Sequence, residues 1–206
     1  MKSPGKTAAI ILASGFSKRF GERNKLLVPF KGKPLARYAL ELAAGLDFDG
    51  GIFFITASKN TAILAEELPS IKVIKNSYPE KGLRESVRLG LEAAMELNAG
   101  EAAEYYLFFH CDQPFLDAET VQRIIGEARP SCIVEPRYMG KPGNPSLFSA
   151  FYYEELLSLK EGETPRVIKL RHPEALRVVE VSDSLVLEDI DDEETLKRLE
   201  KLTGEN

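Results

Sequence analysis

The segment from Thr7 to Leu35, TAAIILASGFSKRFGERNKLLVPFKGKPL, constrains this chain more than any other stretch. The apolar run Ala8–Ala13 is suited to a buried strand and leads into a glycine, Gly15. A polar loop follows, with Ser17, Lys18, Arg19, Gly21, Arg23, Asn24 and Lys25. A glycine at the carboxyl end of a buried strand lets backbone approach a ligand closely, and peptide N–H groups and cations supply counter-charge to an anion. Arg19 can grip phosphate oxygens in a bidentate way, whereas Lys25 acts as a compact point charge. The segment therefore points to a phosphate-bearing ligand.

Two similar patterns are excluded by their positions. Pro4–Thr7 reads PGKT, but a phosphate-binding P-loop lies after a strand and before a helix, and this tetrapeptide precedes the first strand. The interval Gly15–Gly21 lacks the GxGxxG spacing of a dinucleotide fold.

Further along, short apolar runs alternate with amphipathic segments. The runs Ala8–Ala13, Gly51–Thr56, Ile71–Lys75, Tyr105–His110 and Ser131–Glu135 predict strands. Pro34–Ala44, Asn60–Leu68, Leu83–Leu97 and Ala118–Glu127 predict helices; in the third of these, Leu83, Val87, Leu91, Ala94 and Met95 share one face. Such alternation implies an α/β fold, a mostly parallel sheet with helices on both faces. Beyond Glu135 the pattern changes to a turn-rich stretch with Pro136, Gly140, Pro142, Gly143 and Pro145. A short helix (Ala150–Leu159), a segment Pro165–Leu170, strands Leu176–Val181 and Ser184–Glu188, and a helix from Asp191 or Asp192 to Leu202 are expected to follow. This part is expected to be an antiparallel excursion that covers the sheet. The whole of 1–206 then forms a single domain, with a nucleotide-binding core over 7–135 and the excursion with its closing helix over 136–206.

The composition is that of a soluble globular protein, 44% hydrophobic and 29% charged. A net charge of −5 argues against nucleic acid as a partner, so any anion site must be a local positive pocket. No membrane span or signal core is evident, and Cys111 and Cys132 lack metal or disulfide spacing; both fit a cytoplasmic protein. There is no Ser-His-Asp pattern and no nucleophile elbow to suggest a hydrolase.

Two acidic elements complete the set. In FFHCDQPF (Phe108–Phe115), Asp112 ends an apolar strand, where it needs a cation partner or solvent. A Mg²⁺ ion shared with nucleotide phosphates would serve, because Mg²⁺ takes one or two carboxylates plus substrate oxygens. In EDIDDEE (Glu188–Glu194), Asp189 or Asp191 could complete that site by folding back toward Asp112; otherwise the stretch is an acidic helix start.

Taken together, Leu12-Ala13-Ser14-Gly15-x-Ser17-x-Arg19-x-Gly21-x-x-Asn24-Lys25 followed by Gly32-Lys33-Pro34-Leu35 resembles the signature of the molybdenum-cofactor nucleotidyltransferases. The nearest resemblance is to the cytidylyltransferases that make the cytosine dinucleotide form of molybdopterin cofactor from CTP. Gly82-Leu83-Arg84-Glu85-Ser86-Val87, Asp112-Gln113-Pro114, Gly143-Asn144-Pro145 with Ser146-Leu147-Phe148, and Asp189-Ile190-Asp191 extend the resemblance over nearly the whole chain.

The resemblance implies a Rossmann-like nucleotidyltransferase that transfers CMP to the terminal phosphate of molybdopterin cofactor and releases pyrophosphate. By the same resemblance, Leu12, Ala13, Ser14, Gly15, Ser17, Gly82 and Ser86 line the nucleotide site, and Arg19 and Lys25 hold the triphosphate and are catalytic. Asp112 with Asp191, and Asp189 as the other candidate, bind Mg²⁺, and Gly143, Asn144 and Pro145 face the acceptor. The implied partners are CTP, molybdopterin cofactor, and a molybdenum hydroxylase or its chaperone as recipient, with no membrane involved. Related guanylyltransferases tend to carry a second glycine where this chain has Ser14, and a side chain there favours a pyrimidine. The chain departs from the family's usual residues at Cys111 and at Thr164-Pro165 before Arg166. Guanylyl transfer, a sugar- or polyol-phosphate acceptor, and a non-catalytic pterin carrier remain as alternatives.

Overall fold

The computed structural model describes residues 5–13, 20, 23–97, 103–202 and 204. The first strand, β1 (Thr7–Ala13), is buried along its whole length. Short bridges β2 (Pro29–Phe30) and β3 (Lys33–Pro34) form a hairpin whose two turn residues, Lys31 (φ 47°) and Gly32 (φ 83°), both lie in the left-handed region that such tight turns need. Then follow α1 (Leu35–Ala44), β4 (Ile52–Thr56), α2 (Lys59–Ala62), β5 (Ile71–Lys75), α3 (Leu83–Leu97), β6 (Tyr105–His110) and α4 (Ala118–Gly126). The remaining elements are β7 (Ile133–Tyr138), β8 (Lys141–Pro142), β9 (Ser146–Ser149), α5 (Tyr153–Leu157), α6 (Arg166–Arg171), β10 (Leu176–Glu180) and α7 (Glu193–Leu202).

The main sheet runs β10-β7-β9-β6-β1-β4-β5, with β8 paired to β7. β1 is parallel to both β4 and β6, β4 is parallel to β5, and β9 is antiparallel to β6 and β7. β1 is covered on both faces, which is why its sequence is continuously apolar rather than alternating. Ala9 and Ile11 face one core with Phe54, Phe109 and the α1 residues Ala36 and Leu40; Ala8 and Ile10 face the other with Phe53, Phe108, Val87 and Leu91. Complete burial of a Phe or Leu side chain contributes about 1.5–3 kcal/mol, so these two layers supply most of the fold's stability. Gly90 brings α3 close to the sheet: a Cβ there would lie 2.4 Å from Ile10 Cγ2.

The region after Glu135 covers the sheet as expected and also extends it: Leu156 of α5 and Ile168 of α6 pack with Phe108 and Ile133, β9 inserts antiparallel between β6 and β7, and β10 adds to β7 in parallel. Ser184–Leu187 is a 3-10 turn, not a strand, because the Asp183 side chain accepts from the Leu185 N–H at 2.9 Å and closes the backbone locally. The helix expected over Asn60–Leu68 is a single α-turn, α2, followed by the 3-10 turn Ile63–Ala65. Ala150–Leu159 likewise divides into a 3-10 turn and α5. Among the described residues, no helix is long and apolar enough to cross a membrane.

Candidate active site

The chain turns from β1 to β4 and β5 on one side and places β6 on the other, so the carboxyl ends of β1 and β6 flank the switch point where open α/β sheets bind ligands. Leu12 and Ala13 end β1 there, and Asp112 follows β6 two residues beyond His110. Ser14, Gly15, Ser17 and Arg19 lie outside the described residues.

Lys25 stands at the centre. The Asn24 side chain accepts from the Leu26 N–H at 3.0 Å and caps the 3-10 turn Lys25–Leu27, while Leu26 is buried behind it. This local geometry sends the Lys25 ammonium to Asp112 Oδ2 at 2.6 Å and Asp191 Oδ1 at 2.9 Å. Burial by itself would depress the ammonium's pKa, but the charges and hydrogen bonds of Asp112 and Asp191 outweigh it and the net shift is upward. The lysine is a fixed cation here, not a base.

Asp191 is delivered by its neighbour. Ile190 is completely buried in a small cluster with Phe20, Val28, Phe30, Leu35 and Leu199. Its N–H donates to the Asp112 carbonyl at 2.8 Å, and Gln113 Nε2 donates to the Leu187 carbonyl at 3.3 Å. The neighbouring acids take other roles. Asp192 accepts from the Thr195 N–H at 2.8 Å and caps α7. Asp189 keeps a solvent-exposed edge, yet the surrounding protein mass, followed by the charges of Asp112 and Asp191, pushes its carboxyl up to about 7.

Whether a divalent cation fits here can be judged from these donors. Asp112 Oδ1 is buried with no hydrogen-bond partner among the described residues, an expensive arrangement for a carboxylate unless a further cation completes it. No group of three His, Cys, Asp or Glu arranged to hold a metal occurs among the described residues, so the donor set is two converging carboxylates. That set suits Mg²⁺ or Mn²⁺ when substrate oxygens supply the remaining ligands, and Lys25 currently occupies the point where their charge is focused.

The other predicted residues fall around this centre. Ser86 is fully buried, and its Oγ accepts from Asn76 Nδ2 at 3.1 Å, so it braces the start of α3. Gly82 (φ 77°) ends the 3-10 turn before α3 in a conformation that favours glycine. Gly143 and Asn144 line a cavity of about 400 Å³ that begins at Leu12 and His110, whereas Pro145 is buried and does not line it. His110 is half-buried at the cavity wall, and the desolvation it meets there lowers its pKa and keeps it neutral at pH 7. Burial, then the Asp112 charge, pushes the Cys111 thiol far up, which makes it a poor nucleophile.

The sequence reading missed Glu135, Arg137 and Lys169 on the far wall of this cavity. A carboxylate directly after two apolar strand residues, Ile133 and Val134, was the available signal, because a charge in a buried strand requires a partner.

A cation held between two carboxylates at the sheet's switch point is an arrangement suited to an anionic ligand of an α/β protein. The chain belongs to the MobA-like NTP transferase domain family, which matches residues 9–176. It is therefore a nucleotidyltransferase of the MobA-like, molybdopterin nucleotidyltransferase-like type. It is similar to a nicotine blue oxidoreductase from Paenarthrobacter nicotinovorans, with 25% identity over 92% of this chain and 94% of the relative. It is also 32% identical to a molybdenum cofactor guanylyltransferase from Rhodobacter capsulatus, over 60% of each chain. Among solved structures, Rv0371c from Mycobacterium tuberculosis H37Rv superposes with a TM-score of 0.77 at 26% identity, covering 96% of this chain and 98% of that one.

Proposed function

We propose that this enzyme transfers CMP from CTP to the terminal phosphate of molybdopterin cofactor, with Mg²⁺, in the cytoplasm. The observation that carries the reading is the convergence of Lys25, Asp112 and Asp191 at the carboxyl ends of β1 and β6. A cation set between two carboxylates suits a triphosphate with its metal and has no evident use in hydride transfer, although one relative is named an oxidoreductase.

In this mechanism, Asp112 and Asp191 would hold the metal, which would offset the charge of the phosphates. Lys25, released from those carboxylates, turns to the triphosphate, and Arg19 is assigned as a second cation for it on the sequence resemblance alone. A terminal phosphate oxygen of the acceptor forms a bond to the α-phosphorus as the bond to the bridging oxygen breaks. Pyrophosphate leaves with that electron pair. A phosphate monoester is mostly dianionic at neutral pH, so no protein base is required, in keeping with the lack of any such role for His110. The residues act by alignment and by charge stabilisation in the transferring group.

CTP is assigned on the sequence alone, because this chain has Ser14 where related guanylyltransferases tend to carry a second glycine, and relatives named guanylyltransferases make GTP the necessary comparison. The test is pyrophosphate release from CTP and from GTP, each with molybdopterin cofactor, with and without Mg²⁺. Release confined to CTP with Mg²⁺ supports the assignment. Preference for GTP overturns the base assignment, and acceptor binding without pyrophosphate release overturns the enzyme reading in favour of a carrier.

A further inference from the structure

Glu135 is 3% exposed within β7, yet it is doubly paired. Lys169 Nζ lies 2.7 Å from Glu135 Oε2, and Arg137 Nε and Nη2 each lie 2.9 Å from Oε1. Lys169 also donates to Ser146 Oγ at 3.1 Å, and Ser146 in turn donates to Asn144 Oδ1 at 3.5 Å. These residues come from β7, β9, the loop before β9 and α6, so the arrangement is built by the tertiary fold rather than by one segment.

An ammonium has three donors and a guanidinium five. Glu135 and Ser146 take two from Lys169, and Glu135 takes two from Arg137, so both cations keep donors for a further acceptor. Arg166, which forms no ion pair among the described residues, lines the same cavity. Three cations against one carboxylate leave this wall positive although the chain as a whole is acidic. His110, two residues before Asp112, lines the same cavity.

We propose that Lys169 and Arg137, held in position by Glu135 and joined by Arg166, form the receptor for the phosphate of the acceptor. Glu135 is a positioning residue: it fixes both cations in the cavity and spares them the entropy of ordering when the ligand arrives. The inference rests on the nucleotidyl-transfer reading and defines its acceptor as a phosphate monoester whose anionic end faces α6 and β7.

The test is isothermal titration of the full chain with glycerol 3-phosphate, with glycerol as the neutral control. The wild type should bind the phosphate and not glycerol. Lys169→Met should weaken binding about tenfold or more, the loss expected for a charge-assisted hydrogen bond. The double variant Glu135→Gln/Lys169→Met, which removes the stranded carboxylate, should lose binding equally while keeping the wild-type melting temperature. A lack of phosphate binding by the wild type, or unchanged affinity in the folded double variant, overturns the proposal. So does binding that Lys25→Ala abolishes and Lys169→Met leaves intact, because the phosphate would then lie at the triphosphate side. Thermal shifts of the wild type with Mg²⁺ and CTP or GTP read nucleotide binding separately. No response to either nucleotide would refute the transfer reading while the phosphate titration still reports on Lys169.

Discussion

The Ile190 N–H donates to the Asp112 carbonyl at 2.8 Å, and this one backbone contact brings two acidic motifs from distant parts of the chain to a common point. Ile190 is held there by complete burial among Phe20, Phe30, Leu35 and Leu199. Asp191 then meets Lys25, which already holds Asp112. An apolar side chain thus aims a polar one, and the site depends on packing as much as on charge.

Lys25→Ala removes the cation shared by Asp112 and Asp191. Loss of one such electrostatic stabiliser should lower kcat by ~100-fold or more. Single-turnover kinetics on protein with an unchanged circular dichroism spectrum checks this, and wild-type turnover would exclude Lys25 from the mechanism.

Asp112→Asn keeps the shape of the side chain and removes its charge. The Mg²⁺ concentration for half-maximal pyrophosphate release should rise about tenfold or more, since even indirect partners of a metal commonly contribute that much affinity. Mn²⁺ binding followed by electron paramagnetic resonance gives a readout independent of turnover. Equal metal affinity in the variant would argue against ligation by Asp112.

Gly90→Ala sets two effects against each other. Alanine favours the helix by about 1 kcal/mol, but its Cβ would lie 2.4 Å from Ile10 Cγ2, and overpacking of this kind costs about 1–3 kcal/mol. Net destabilisation is expected in urea unfolding. In an Ile10→Ala background the clash is gone, and the same substitution should become stabilising; no change of sign between the two backgrounds would contradict this account of the α3–β1 approach.

Glu85 provides a pH dependence. It is 5% exposed, and its hydrogen bond with Arg88, at 2.7 Å, holds its pKa below the usual carboxylate value despite burial. A depressed carboxylate contributes stability that is present above its unfolded pKa, about 4.3, and is lost as pH falls through the folded value. Glu85→Gln should therefore lower stability at neutral pH and flatten the acid side of the profile below about pH 5. Melting curves from pH 7 to pH 3 for both proteins would reveal it, and parallel profiles would rule out the pair as a source of acid sensitivity.

Much of the fold was legible because hydrophobic periodicity is local. Tyr105–His110, Ile71–Lys75 and Leu83–Leu97 occur as read. Ser184–Glu188 was misread because Asp183 closes a turn on the backbone, a competition that apolar content does not register. β9 was hidden by its brevity and by Pro145 before it, and its place between β6 and β7 depends on partners elsewhere in the chain.

The amino-acid order by itself determined a buried first strand followed by a cationic loop, the alternation of strands and helices, and the acidic motifs around Asp112 and Asp191. These follow from periods of two and 3.6 residues and from the cost of burying charge, which are properties of single segments. Only the tertiary structure decided that Asp191 meets Lys25 while Asp192 caps a helix, and that Glu135 gathers Lys169 and Arg137 at one cavity. Neighbouring carboxylates are chemically alike in the sequence; which of them reaches a given cation is set by how Ile190, β7 and α6 pack against the sheet.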